Sequence, residues 1–269
     1  MFQKFQAHLL KNFSHLKNQK ILLASSGGID SCVLLSLCLK NGLNISIAHC
    51  NFQLRGKHSK EDALWIKKLA EDKKLECHIK KFDTLIYAEN KNTSIQMAAR
   101  KLRYDWFNEI STKYKYDSIL IAHHADDVIE TFMINLMRGS GLKGLVGIPQ
   151  VRGKIIRPLL PFTRMEILNY ANEYNIKWRE DGSNAKKDYL RNQLRHKVIP
   201  NWKATASNFH NRFSNTLEYL GQAKIALDNV IKDFKTKYFV EMEHQIKISV
   251  DKLKSVSYTH LTLPTSDLV

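Results

Sequence analysis

The stretch Ser25-Ser26-Gly27-Gly28-Ile29-Asp30-Ser31 lies between two apolar runs, residues 21–24 and 33–35. A short apolar run broken by two glycines and followed by a second apolar run reads as strand, tight turn and helix. Such a turn limits the chain to folds that feed a buried strand directly into a helix. It also has a chemical use. Glycines let the backbone turn sharply and bring bare N–H groups against an anion, and the helix that follows adds its unpaired N-terminal donors and positive dipole end. No lysine follows the glycines as in G-x-x-x-x-G-K-[ST], so pyrophosphate would be engaged differently from an ordinary P-loop. Asp30 beside bound phosphate calls for an intervening cation, which points to Mg²⁺. The alternative is a Ser- and Asp-capped helix that binds nothing.

The same alternation continues downstream. Residues 32–40 read as a helix closed by Asn41-Gly42, 45–49 as a second strand, and 59–62 as the cap of a helix carrying Leu64, Trp65, Leu69 and Ala70. Residues 76–82 read as a third strand, Thr93 as the opening of a long helix, and 118–122 as an almost wholly apolar fourth strand. Residues 139–144 read as a flexible loop and 155–161 as a short strand punctuated by prolines; Thr163 with Glu166 forms a capping box. The pattern predicts an α/β fold with a doubly wound, mostly parallel sheet, whose ligands bind beyond the carboxyl ends of the strands.

Of 269 residues, 42 are Lys or Arg and 26 Asp or Glu, a formal net charge of +16, which selects a polyanionic partner. No apolar run reaches the length of a membrane span and residues 1–13 carry no signal-peptide core, so a cytoplasmic protein with no membrane partner is expected. Cys32, Cys38, Cys50 and Cys77 show no C-x-x-C spacing, which argues against zinc and iron–sulfur sites; Cys32 is expected to pack within its helix. Basic residues gather from Lys186 to Lys203, against the single acid Asp188, and the texture changes near Pro200. The predicted organisation is a catalytic domain over 1–200, a smaller helical domain over 201–255, and a tail over 256–269 without Lys or Arg that stands outside the functional argument.

Directly after the fourth strand, Ala122-His123-His124-Ala125-Asp126-Asp127-Val128-Ile129-Glu130-Thr131 packs two imidazoles and three carboxylates into eight positions. Each of these acids has an ordinary use as a cap or dipole partner. Together, at the carboxyl end of a strand beside the glycine turn, they suit Mg²⁺ binding and the stabilisation of charge as a P–O bond breaks. A metal-dependent phosphohydrolase is the rival reading, but it leaves the glycine turn without work.

These motifs make the chain resemble a known family. Ser26-Gly27-Gly28-Ile29-Asp30-Ser31 matches the S-G-G-x-D-S signature of the PP-loop ATP pyrophosphatases, and residues 123–131 resemble the second motif of the tRNA(Ile)-lysidine synthetase family. Asn51-Phe52-Gln53-Leu54-Arg55, Ala98-Ala99-Arg100-Lys101-Leu102-Arg103-Tyr104 and Arg138-Gly139-Ser140-Gly141-Leu142-Lys143-Gly144-Leu145 agree with the narrower family. So do Arg157-Pro158-Leu159-Leu160, Glu180-Asp181-Gly182-Ser183-Asn184 and Arg191-Asn192-Gln193-Leu194-Arg195. Phe52 stands where that family often has His, and the chain ends before the extra carboxyl-terminal domain many relatives carry.

The resemblance implies a ligase that uses ATP and Mg²⁺ to join free L-lysine to the wobble cytidine of the isoleucine tRNA with a CAU anticodon, through an adenylated cytidine. It implies a nucleotide site formed by Ser26, Gly27, Gly28, Ile29, Asp30, Ser31, His49, Asn51 and Arg103. Asp30, His123, Asp126 and Asp127 would be catalytic, with Asp30 and Asp127 on the metal. Lys186, Lys187, Arg191, Arg195 and Lys197 would meet tRNA phosphates. A homodimer is one assembly open to such a chain. The alternatives are a PP-loop cytidine thiolase and a non-catalytic tRNA-binding remnant, which would bind RNA with a steep salt dependence yet release no pyrophosphate.

Overall fold

The computed structural model describes residues 1–179, 190–242 and 245–248. Two compact units divide after Ser214. In the first, six strands form one sheet: β1 (Lys20–Ala24), β2 (Asn44–Asn51), β3 (Cys77–Lys81), β4 (Ser118–Leu120), β5 (Val151–Arg152) and β6 (Ile155–Ile156). Their order is β3-β2-β1-β4-β6-β5, parallel throughout except for the β5–β6 edge pair. This is the expected doubly wound sheet. The chain builds outward from β1 through β2 to β3, then returns to lay β4 on the other side of β1, with Leu22 beside Ile119 and Leu23 beside Leu120. The loops leaving β1 and β4 therefore flank the point where strand order reverses, where such sheets bind ligands.

Alternation along β1 explains why both faces are covered. Ile21 and Leu23 join a buried cluster with Val33, Leu34 and Leu37 of α2 (Ile29–Lys40), Ile66 of α3 (Lys57–Asp72) and Phe5 of α1 (Phe2–Asn12). Leu22 points the other way, onto Trp106, Phe107 and Ile110 of α5 (Ile95–Lys113), beside Tyr116 and Ile119. An α-helix α4 (Thr84–Asn90) precedes α5. The cap of α5 is Ser94 rather than Thr93: its Oγ accepts the Met97 N–H at 3.3 Å. Helix α6 (Ala125–Met137) follows β4, and the second half of the expected flexible loop over 139–144 enters a helical turn, α7 (Leu142–Leu145). The Thr163–Glu166 capping box opens α8 (Arg164–Glu173) as expected.

After the undescribed residues 180–189 come α9 (Leu190–Gln193), a π-helical turn (Leu194–Val198), α10 (Ile199–Ala204) and α11 (Phe209–Tyr238). Trp202, Phe209 and Phe213 form an aromatic cluster with ring centroids 4.7–6.0 Å apart, so these rings pack on one another. The second unit holds the greater part of α11 and a two-stranded antiparallel hairpin, β7 (Phe239–Met242) with β8 (Gln245–Ile248), where the sequence reading had only helix. Among the described residues no helix is long and apolar enough to cross a membrane.

Candidate active site

The glycine turn is shaped from within and braced from behind. Gly27 has φ of +84°, a conformation in which any side chain is strained, and Gly28 is the extended N-cap that places Asp30 in the first turn of α2. Ser31 Oγ donates to Gly28 O at 2.9 Å and Ser25 N–H to Ala48 O at 2.9 Å, which fixes both ends of the turn. His49 is buried, and its Nδ1 hydrogen-bonds Ser25 O at 2.9 Å. A carbonyl only accepts, so Nδ1 carries the proton. Burial lowers this imidazole's pKa below its ordinary value and outweighs the carbonyl contact, so the ring is neutral at pH 7. Cys32 is buried, its thiol pushed up to about 12 by burial, and its Sγ lies 3.4 Å from Gly27 O; it packs in α2 as expected.

Across the crevice, the His-Asp cluster is fixed by its own helix start. His124 is the N-cap of α6, and its N–H donates to Asp127 Oδ2 at 3.0 Å. The buried His124 ring bridges the two loops, with Nε2 3.7 Å from Asp30 Oδ1 and 3.6 Å from Asp127 Oδ2. His123 Nδ1 accepts from Arg157 Nε at 3.2 Å, which assigns its proton to Nε2 in the neutral ring; burial pulls its pKa down to about 4. Burial would raise Asp127, but the neighbouring His124 and His123 rings, the His124 N–H and Arg195 together hold it below the usual carboxylate range. Glu130, 1% exposed, is raised because burial outweighs its guanidinium partners.

Every acid here has a cationic partner. Arg164 pairs with Asp30 through its guanidinium and donates its backbone N–H to Asp126 Oδ2 at 2.7 Å. Lys203 pairs with Asp126. Burial would raise Asp126, but the contacts from Lys203 and Arg164 lower it. Arg195 donates Nε to Glu130 Oε1 at 2.5 Å and lies 3.3 Å from Asp127 Oδ1; Arg191 Nε lies 3.1 Å from Glu130 Oε2. Arg191 and Arg195, expected on RNA, are thus folded onto the acids, whereas Lys197 is exposed. Lys186 and Lys187 lie outside the described residues. Sequence reasoning gave no role to Arg157 or Arg164. The one local signal for Arg164 is its position: a cation in the first turn of a helix opposes the dipole and needs a nearby anion.

Two cavities meet at this cluster. The first, about 250 Å³, is lined by Ser25, Ser26, Asp30 and Ser31 from the turn, His123 and Asp127 from the second loop, and Arg103, Phe52 and Phe107. The second, about 550 Å³, is lined by Asp30, His124, Asp126, Glu130, Arg164, Arg195 and Lys203 among others. Asp30 is common to both. His49 and Asn51 line a neighbouring hollow of about 200 Å³ with Arg55 and Asp62 rather than the first cavity; Asn51 Nδ2 bonds Ser59 O at 2.9 Å. Arg103 faces Phe52, with its guanidinium 5.3 Å from the ring centroid, so the Phe at that position stacks a cation. Among the described residues no group of three His, Cys, Asp or Glu side chains forms a ready-made metal cage. Two carboxylates on one cavity, Asp30 and Asp127, are nevertheless the donor set Mg²⁺ takes when substrate phosphates and water supply the rest.

Known proteins share this architecture. A family model described as a PP-loop domain matches residues 1–202. The chain is 34% identical to the tRNA(Ile)-lysidine synthase of Bacteroides thetaiotaomicron, over 97% of this chain and 61% of that protein. It is 40% identical to that of Porphyromonas gingivalis strain W83, over 80% and 47% respectively. The chain thus spans roughly half of the curated relatives it matches. Among solved structures, the U34-tRNA thiolase NcsA from Methanococcus maripaludis superposes with a TM-score of 0.66 at 22% identity, over 81% of this chain and 78% of that one, and shares the fold. A glycine turn after β1, an acidic loop after β4 and a match that takes in both establish that the chain belongs to the PP-loop domain family.

Proposed function

We propose that the protein ligates L-lysine to the wobble cytidine of the CAU-anticodon isoleucine tRNA in the cytoplasm, releasing AMP and pyrophosphate. The observation that carries this reading is the first cavity, where Ser25, Ser26, Asp30 and Ser31 of the turn meet His123 and Asp127 on one surface, in a chain similar to curated lysidine synthases.

The chemistry follows from the substrate. The cytosine carbonyl oxygen is a poor leaving group, so it first attacks the α-phosphorus of ATP; pyrophosphate departs and AMP is joined to the ring. The ε-amine of lysine then attacks the activated carbon, loses a proton, and AMP leaves with the former carbonyl oxygen. The turn and the first N–H groups of α2 bind and orient the phosphates, and Arg103 and His123 lie on the same cavity wall. Asp30 and Asp127 would hold Mg²⁺, which supplies charge neutralisation on the phosphates. The second cavity shares Asp30 with the first and offers cytidine and lysine a route to it. Lys186, Lys187, Arg191, Arg195 and Lys197 remain the proposed tRNA contacts; Lys197 offers its charge to solvent, and Arg191 and Arg195 would exchange their acids for phosphate.

The test combines ATP, labelled lysine and the isoleucine tRNA transcript. Label enters the RNA with wild-type protein, and Asp30→Ala lowers incorporation by about 100-fold or more. Pyrophosphate release without lysine incorporation, or sulfur transfer in its place, overturns the reading.

A further inference from the structure

The apex of the phosphate turn is held by residues that line neither of the two larger cavities, Asp62 facing the smaller hollow beside them. The N–H of Arg179 donates to Gly27 O at 2.9 Å. The Arg179 guanidinium donates Nε to Asp62 Oδ1 at 2.6 Å and NH2 to Glu61 Oε2 at 3.0 Å, both on α3. Asp62 is 7% exposed, and its other oxygen accepts from Arg55 at 2.7 Å. Helix α3 also backs the turn directly, since a Cβ on Gly27 would lie 3.5 Å from the Trp65 ring and 3.6 Å from Ile66. Gly27 is thus gripped from two sides, by α3 and by Arg179, and Asp62 fastens those two sides together.

We infer that Asp62 and Arg179 are positioning residues that set the orientation of the Gly27–Gly28 peptide and, through it, the affinity for the polyphosphate of ATP; the inference rests on the nucleotide reading above. The logic is that of a planar trans peptide, whose C=O and N–H point in opposite directions. Holding Gly27 O toward Arg179 turns the Gly28 N–H the other way, where it donates to Ser26 Oγ, a residue of the cavity wall, at 3.3 Å. Glycine has no side chain to resist rotation, so without the brace this peptide can flip and present a carbonyl lone pair to phosphate. A buried carboxylate between two guanidiniums suits the task, because its desolvated charge holds both of them against α3.

Binding of ATP and of adenosine to the full chain, measured by calorimetry, tests this. Arg179→Ala and the isosteric Asp62→Asn each weaken ATP by about 10-fold or more, the effect of losing a charge-assisted contact. Adenosine, which has no phosphate for the turn to hold, changes by less than about 2-fold. Glu61→Gln, which removes only the solvent-facing partner, shifts ATP by less than about 3-fold. Circular dichroism verifies that each variant is folded. Unchanged ATP binding in both variants overturns the inference, as does equal weakening of ATP and adenosine, which marks a general loss of packing. Wild-type protein that binds no ATP overturns the nucleotide reading and the inference with it.

Discussion

Replacing Arg195 by alanine strips Glu130 of its main partner. Glu130 is 1% exposed and receives two hydrogen bonds from Arg195, at 2.5 and 3.0 Å, and an ion contact from Arg191 at 3.1 Å. Breaking a buried pair by removing one member destabilises by about 3–5 kcal/mol. Arg191 remains, and the Arg195 side chain is itself 35% exposed, so solvent screening lowers the expected loss to about 2 kcal/mol. For a unit of this size that is a fall in Tm of about 4–8 °C. The pH dependence is the sharper test. Burial already raises Glu130 against the pull of Arg195, and deleting Arg195 raises it further. Between the unfolded and folded pKa the native variant then binds more protons than its unfolded chain, so its stability declines as pH rises and recovers as pH falls. Urea unfolding followed by tryptophan fluorescence at about pH 7.5 and about pH 5 measures both effects, and adding Glu130→Gln should restore about 1 kcal/mol at the higher pH. A loss below about 0.5 kcal/mol, or one that grows on acidification, refutes the reasoning.

Two further outcomes are expected. Gly27→Ala introduces a left-handed strain of about 1–2 kcal/mol with no steric clash, because the added Cβ meets Trp65 at an ordinary 3.5 Å; thermal unfolding should show the loss, and an unchanged Tm would contradict the backbone assignment. His49 is neutral in the fold with its pKa depressed, so below its unfolded pKa the unfolded chain binds the extra proton and stability falls on acidification, at most about 1.4 kcal/mol per pH unit. His49→Asn, compared with wild type across that window, should flatten the profile.

The strand–turn–helix over residues 21–40 was legible because everything that specifies it is local: apolar runs, two glycines, a helical period. Helix α2 nevertheless begins at Ile29 rather than Cys32, since Gly28 caps it. Helix α4 went unread because seven residues are too few to display a period, and Ser94 was passed over for its neighbour Thr93 because either residue type serves as a cap. The acids of the site were legible as a run along one loop. Their partners were not: Arg164 lies 134 residues from Asp30, Lys203 lies 77 from Asp126 and Arg195 lies 65 from Glu130. Composition registers a basic side chain but carries no record of whether it faces phosphate or carboxylate, so the Lys186–Lys203 cluster reads as an RNA surface or a solvated basic face. The folded chain turns Arg191, Arg195 and Lys203 inward onto acids.

The pairing of Asp126 with Lys203 bears on where this molecule can be cut. A fragment ending at the change of sequence texture near Pro200 keeps the acidic loop but discards the ammonium that neutralises it. It also loses Trp202, Phe209 and Phe213, the last of which packs on Phe132. An expression boundary for the first unit therefore belongs inside the long helix beyond Ser214, where severing the chain frays a helical end and keeps Lys203 with Asp126.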